Sequence, residues 1–166
     1  TLSLHDALPI SSVALQDVWA QVNNPAALVG LKKQSIGLSY QNRFGLKELQ
    51  SQGLVYGQPL KKGVISFGAQ TYGFKTYRTN RVGLGYSMKL SEKFSAGVQL
   101  NYQNIRLTEN YGSKNTVTAE VGILAKLTEK WTIGVSAFNL GRNKLADFQD
   151  DRFTTLMRLG TSYQFS

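Results

Sequence analysis

The feature that most constrains this chain is a two-residue alternation repeated over most of its length. Val82, Leu84, Tyr86, Met88 and Leu90 are apolar at every second position, with Gly83, Gly85, Ser87 and Lys89 between them. Phe94, Ala96, Val98, Leu100 and Tyr102 repeat the pattern against Ser95, Gly97, Gln99 and Asn101. Val117, Ala119, Val121, Ile123, Ala125 and Leu127 do so again, against Thr118, Glu120, Gly122 and Lys126. Strand side chains point to opposite faces with period two, so each run has one greasy face and one small or polar face. Runs of about ten residues joined alternately by tight and long connections suit a barrel that crosses a bilayer. The expected fold is all-β, an antiparallel up-and-down transmembrane β-barrel, with about eight strands visible of a larger barrel and a short helical plug segment ahead of them.

Strands are expected over roughly 35–43, 49–60, 63–74, 81–91, 93–106, 115–127, 130–141 and 154–165. The 49–60 run alternates least cleanly, because Leu54, Val55 and Tyr56 are consecutive apolar residues. Met157, Leu159, Thr161, Tyr163 and Phe165 share a face in the last run. Tight polar turns lie at Leu90–Lys93 and Leu127–Lys130, whose flanks are near copies, and a shorter relative lies at Leu60–Gly63. Longer connections are expected at about 74–81, 106–115 and 141–154. Phe94 and Trp131 fall just past the tight turns, where an aromatic girdle would lie.

The glycines weigh against a water-soluble barrel with its apolar face inward. Gly83, Gly85, Gly97, Gly122, Gly134 and Gly160 all occupy the non-apolar face. Mid-strand glycine weakens a sheet unless the backbone needs a bend or a close approach, which a concave lumen wall supplies. A solvent-facing outer surface would carry Thr, Lys and Glu instead.

Ahead of the strands, Asp17 is placed to cap a short helical turn through Trp19. Asn24-Pro25 starts a second turn, with Asn as cap and Pro at the first helical position, and Gly30 ends it. The domain reading is therefore a plug-like segment over 11–34 and barrel strands over 35–166. Residues 1–10, Thr-Leu-Ser-Leu-His-Asp-Ala-Leu-Pro-Ile, read as one frame of a common sequencing adapter and are set aside as non-native. The natural start is then missing, and so is any evidence for or against an export signal.

Charge and composition narrow the chemistry. Lys and Arg number 19 against 10 acidic residues. The cations are scattered (Lys61, Lys62, Arg78, Lys93, Lys130, Arg142) and form no nucleic-acid patch, so a rim facing lipid headgroups is the better reading. There is no cysteine, and the only histidine is His5 in the excluded segment. Ser-His-Asp, Cys-His and histidine-metal chemistry are thereby removed, a Ser-His phospholipase included. Asp147, Asp150 and Asp151 lack the spacing of an EF-hand loop and read as a solvated loop. No cofactor and no metal are expected, and no enzyme. Lys89, Glu120, Lys126 and Arg158 fall on lumen-facing positions and are candidates for a polar network lining the interior.

From about Val13 onward the chain resembles the PorV/PorQ group of outer-membrane barrels, within the wider FadL-like superfamily. The resemblance rests on Asn24-Pro25-Ala26 in the block Val22–Leu28, on Asn42–Leu49 and on Lys93–Leu100. It implies a longer barrel, of which this chain is a fragment. It also implies that Asn24, Pro25 and Ala26, with Trp19 nearby, belong to a segment plugging the lumen. The location implied is the outer membrane of a Gram-negative bacterium. The role implied is type IX secretion, with machinery proteins as partners, or passage of hydrophobic small molecules. Two other readings stand beside it: a small eight-stranded structural or adhesive outer-membrane barrel, and a soluble lipocalin-like ligand-binding barrel.

Overall fold

The structure is a computed structural model, and it describes residues 17–42, 44–46, 49–74, 77–107, 113–139 and 155–165. Eight antiparallel strands follow one another in sequence order within one sheet: β1 Ser35–Asn42, β2 Gln50–Pro59, β3 Val64–Gly73, β4 Tyr77–Lys89, β5 Phe94–Leu107, β6 Ser113–Lys126, β7 Trp131–Phe138 and β8 Leu156–Tyr163. Each pairs only with its neighbours, and β1 and β8 are the two edges of the sheet. Two short 3₁₀ helices precede the sheet, Val18–Val22 and Pro25–Gly30. Among the described residues no helix is long and apolar enough to cross a membrane.

Most strand limits fall within two residues of the alternation pattern. The exceptions are β7, expected to run to 141, which ends at Phe138, and β4, which starts at Tyr77, so the connection expected over 74–81 shrinks to residues 74–76. Gly73 makes the turn possible by adopting φ +99°, and the Phe74 N–H donates to the Tyr77 carbonyl at 2.8 Å. Arg78, read from sequence as a loop cation, therefore lies on a strand. The extension escapes the pattern because Arg78, Thr79, Asn80 and Arg81 are polar on both faces. The early start of β6 at Ser113 has the same cause in Lys114, Asn115 and Thr116.

Local caps form as the sequence dictates. The Trp19 N–H donates to Asp17 Oδ1 at 3.0 Å, and the Ala26 N–H donates to Asn24 Oδ1 at 3.0 Å with Pro25 at the start of the turn. Between them, residues 17–31 form an inner segment that lies against one face of the sheet. Trp19 covers Gly37 of β1 and Gly53 of β2. Four residues later, the Asn23 carbonyl accepts from Ser136 of β7 at 2.7 Å and from Arg158 of β8 at 3.4 Å. Four residues of 3₁₀ helix advance about 8 Å, whereas eight flat strands would be about 34 Å wide. The sheet must therefore curl around the segment.

The inner segment also supplies the core. Val18 and Val22 pack with Val55, Ala20, Ala26 and Ala27 with Leu124, and Leu28 and Leu31 with Val64. Val55 explains the irregular β2 pattern: it is fully buried under the segment, while Leu54 and Tyr56 on either side face outward.

Candidate functional site

The outer surface is ordered in rows. Strand register aligns Ile36, Tyr56, Phe67, Leu84, Leu100 and Ala119 across β1 to β6. The next row is Leu38, Leu54, Ala69, Val82, Tyr102 and Val117, again apolar throughout. One register step further the composition changes, to Tyr40 and then the polar Gln52, Thr71, Asn80, Asn104 and Asn115. Side chains within this row pair with each other, Thr71 with Asn80 at 2.7 Å and Asn104 with Asn115 at 2.6 Å. In the other direction the apolar rows continue through Met88, Ala96, Ile123, Val135 and Leu159 of β4 to β8. These residues are exposed to a degree rare for large apolar groups: Leu38 is 75 % accessible, Leu84 63 % and Leu159 78 %. Phe94 and Trp131 are also exposed and follow the tight turns, and the Trp131 indole N–H donates to Thr161 Oγ1 at 2.7 Å. Tyr163 is the cross-strand partner of Trp131 and meets Phe165 edge-on at 5.0 Å.

The inner face is the chemical opposite. Ser87, Gly97, Gly122, Ser136 and Arg158 form one cross-strand row, with Gln99, Glu120 and Phe138 in the next. Glycine is required at two points of this wall. A Cβ at Gly97 would stand 2.5 Å from the Pro25 carbonyl carbon and the Ala26 nitrogen, and one at its partner Gly122 would run into Asn24 Oδ1. This bare patch is where Asn24, Pro25 and Ala26 sit, and there Asn24 Nδ2 donates to the carbonyls of Ile123 and Val135, each at 3.4 Å.

At the centre lies a charged cluster. Glu120 is fully buried and takes a guanidinium on each oxygen: Arg81 at 3.2 Å on Oε2 and Arg158 at 3.3 Å on Oε1. Arg81 Nε also donates to Asn101 Oδ1 at 3.1 Å, and its guanidinium lies over the Phe138 ring at 5.2 Å. Arg158 reaches the Asn23 carbonyl, so the cluster and the inner segment share a hydrogen-bond network. The structure thus brings together Glu120 and Arg158 from the sequence candidates. Lys89 and Lys126 lie on the inward phase of their strands but at the exposed ends, apart from Glu120. The residue that sequence reasoning missed is Arg81. Its signal was phase: Arg81 opens the strand expected over 81–91 and shares the inward parity of Gly83 and Gly85.

With the inner segment in place, the void bounded by Gln21, Val55, Arg81, Gln99 and Asn101 measures about 10 Å³, the space of roughly one water. Among the described residues no group of three or more His, Cys, Asp or Glu side chains could hold a metal. Asp147, Asp150 and Asp151, and His5, lie outside the described residues. No protein-family model, no curated protein and no solved structure matches this chain.

Proposed function

We propose that this chain forms an arc of a Gram-negative outer-membrane β-barrel of PorV/PorQ or FadL-like type, acting as a passage or docking component in type IX secretion or in hydrophobic small-molecule transport, and not as an enzyme. In this reading further strands join the free edges of β1 and β8, and lipid covers the outer rows. The carrying observation is the outer surface, where apolar rows running across six strands give way to a polar row within one register step. On β6 the apolar positions run from Val117 to Ala125, with Leu127 just past the strand end. That is about 26 Å along the strand, or about 20 Å of height at the ~40° tilt usual in outer-membrane barrels, most of their ~25 Å lipid-facing band. Phe94, Trp131 and Tyr163 near the tight turns, and Tyr102 at the opposite margin, fit the aromatic girdles of such a band.

The inner segment fits the role of a plug. It fills the concave side, where three small apolar clusters and a set of hydrogen bonds hold it against the wall. Passage of cargo would require residues 17–31 to shift or leave.

The reading is tested by partition. Refolded from denaturant in the presence of phosphatidylcholine vesicles, the complete barrel that carries this chain should float with them and its strands should resist added protease. A folded, monodisperse chain that stays in detergent-free buffer would overturn the proposal in favour of a soluble barrel.

A further inference from the structure

Of the charged side chains on the described strands, Arg81, Lys89, Lys114, Glu120, Lys126 and Arg158 take the inward phase. Only Arg78 and Arg106 take the outward one, and the register sets these two directly opposite each other on β4 and β5. Both are exposed, and among the described residues neither has a carboxylate within ion-pair distance. Like charges facing each other across a strand pair destabilise it, so with nothing between them the two arginines would be a fault in the sheet. An anion between them turns the repulsion into two favourable contacts.

Their height is as telling as their pairing. They lie one register step beyond the Asn80–Asn104–Asn115 row and two beyond the last apolar row, Val82–Tyr102–Val117. Four residues of strand cover about 13 Å, or about 10 Å of height at the usual tilt. A long side chain recovers part of that by bending back towards the apolar surface. Its guanidinium then falls in the polar headgroup layer, which adds about 5–7 Å to each side of the hydrocarbon. The planar fork of arginine matches phosphate oxygens in pairs.

We propose that Arg78 and Arg106 form a clamp for the phosphate of an anionic lipid headgroup, in the leaflet at the end of the sheet opposite the Leu60–Gly63, Leu90–Lys93 and Leu127–Lys130 turns. A lipid is the occupant that uses the whole surface, since its acyl chains would lie on Leu84, Leu100, Val82 and Tyr102 directly beneath the clamp. The inference rests on the membrane reading, and the experiment separates the two.

The complete barrel that carries this chain, its Arg78→Gln/Arg106→Gln variant and a Lys93→Gln control at the opposite end are refolded into phosphatidylcholine vesicles containing a minority of phosphatidylglycerol. They are then extracted in mild detergent, and the retained phosphatidylglycerol per chain is counted. The clamp predicts retention by the parent and the control, and roughly thirtyfold weaker retention by the double variant. An Arg78→Lys/Arg106→Lys variant, which keeps the charge and loses the forks, should retain an intermediate amount and carries the test if the neutral variant fails to fold. Equal retention by parent and variants overturns the clamp while leaving the membrane reading intact. Release of the lipid by millimolar inorganic phosphate overturns the choice of a lipid over a free anion. A parent chain that never enters pure phosphatidylcholine vesicles overturns both.

Discussion

Glu120→Ala is expected to cost about 3–5 kcal/mol of folding free energy, the largest effect of any single substitution in this chain. Removing one member of a buried ion cluster leaves its partners charged and stripped of water, and here there are two such partners. Arg81 and Arg158 each hold one oxygen of the carboxylate, and all three side chains are buried or nearly so. Arginine cannot escape by losing its proton. The loss should also loosen the inner segment, because Arg158 is positioned by Glu120 while it donates to the Asn23 carbonyl. Urea unfolding in lipid vesicles, followed by tryptophan fluorescence, gives the free energy. Protease cleavage within residues 17–31 gives the state of the segment. Glu120→Gln keeps the shape and some of the hydrogen bonding and should fall between the two. A Glu120→Ala protein within about 1 kcal/mol of the parent would mean that the cluster is solvated and not the keystone of the interior.

Gly97→Ala is expected to destabilise by about 1–3 kcal/mol, although alanine in place of a mid-strand glycine ordinarily helps by about 0.5–1 kcal/mol. The sign reverses because the added methyl would stand 2.5 Å from backbone atoms of Pro25 and Ala26, which cannot swing aside like the end of a side chain. Gly68 is the comparison. There the nearest atom to an added Cβ is the Gln21 amide nitrogen at 3.2 Å, the end of a side chain that has to give only a few tenths of an ångström, so Gly68→Ala should be close to neutral. The same urea measurement on both variants checks the claim. Equal, small effects at the two positions would show that the inner segment does not press on Gly97.

These two effects show what the sequence carried and what it hid. Alternation made the strands legible wherever one face was apolar, and it assigned glycine to the inner wall before any contact was known. The caps at Asp17 and Asn24 were legible because capping is local chemistry, set within three residues. The start of β4 was not, since a strand that has risen above the apolar belt is polar on both faces and its period disappears. Arg78 was lost with it, and so was its facing pair with Arg106, whereas Arg81 lay within the expected strand and was passed over. Lys89 and Lys126 share the phase of the inner wall, but phase says nothing about depth, and both sit at strand ends. Which cations reach Glu120 depends on register between strands 38 or 39 residues apart in the chain, and no local pattern encodes that.

If the proposed function holds, the Leu, Val and Tyr rows meet hydrocarbon and the inner segment does not. The chain carries two tryptophans, one for each surface: Trp131 on the outer margin of the belt and Trp19 beneath Gly37 and Gly53. Trp19→Phe and Trp131→Phe each leave a single reporter, to be read in vesicles whose acyl chains carry bromine near the headgroup. Trp131 should lose most of its fluorescence to the brominated chains, and Trp19 should keep nearly all of its own. Strong quenching of Trp19 with Trp131 untouched, or no quenching of either, would contradict the account.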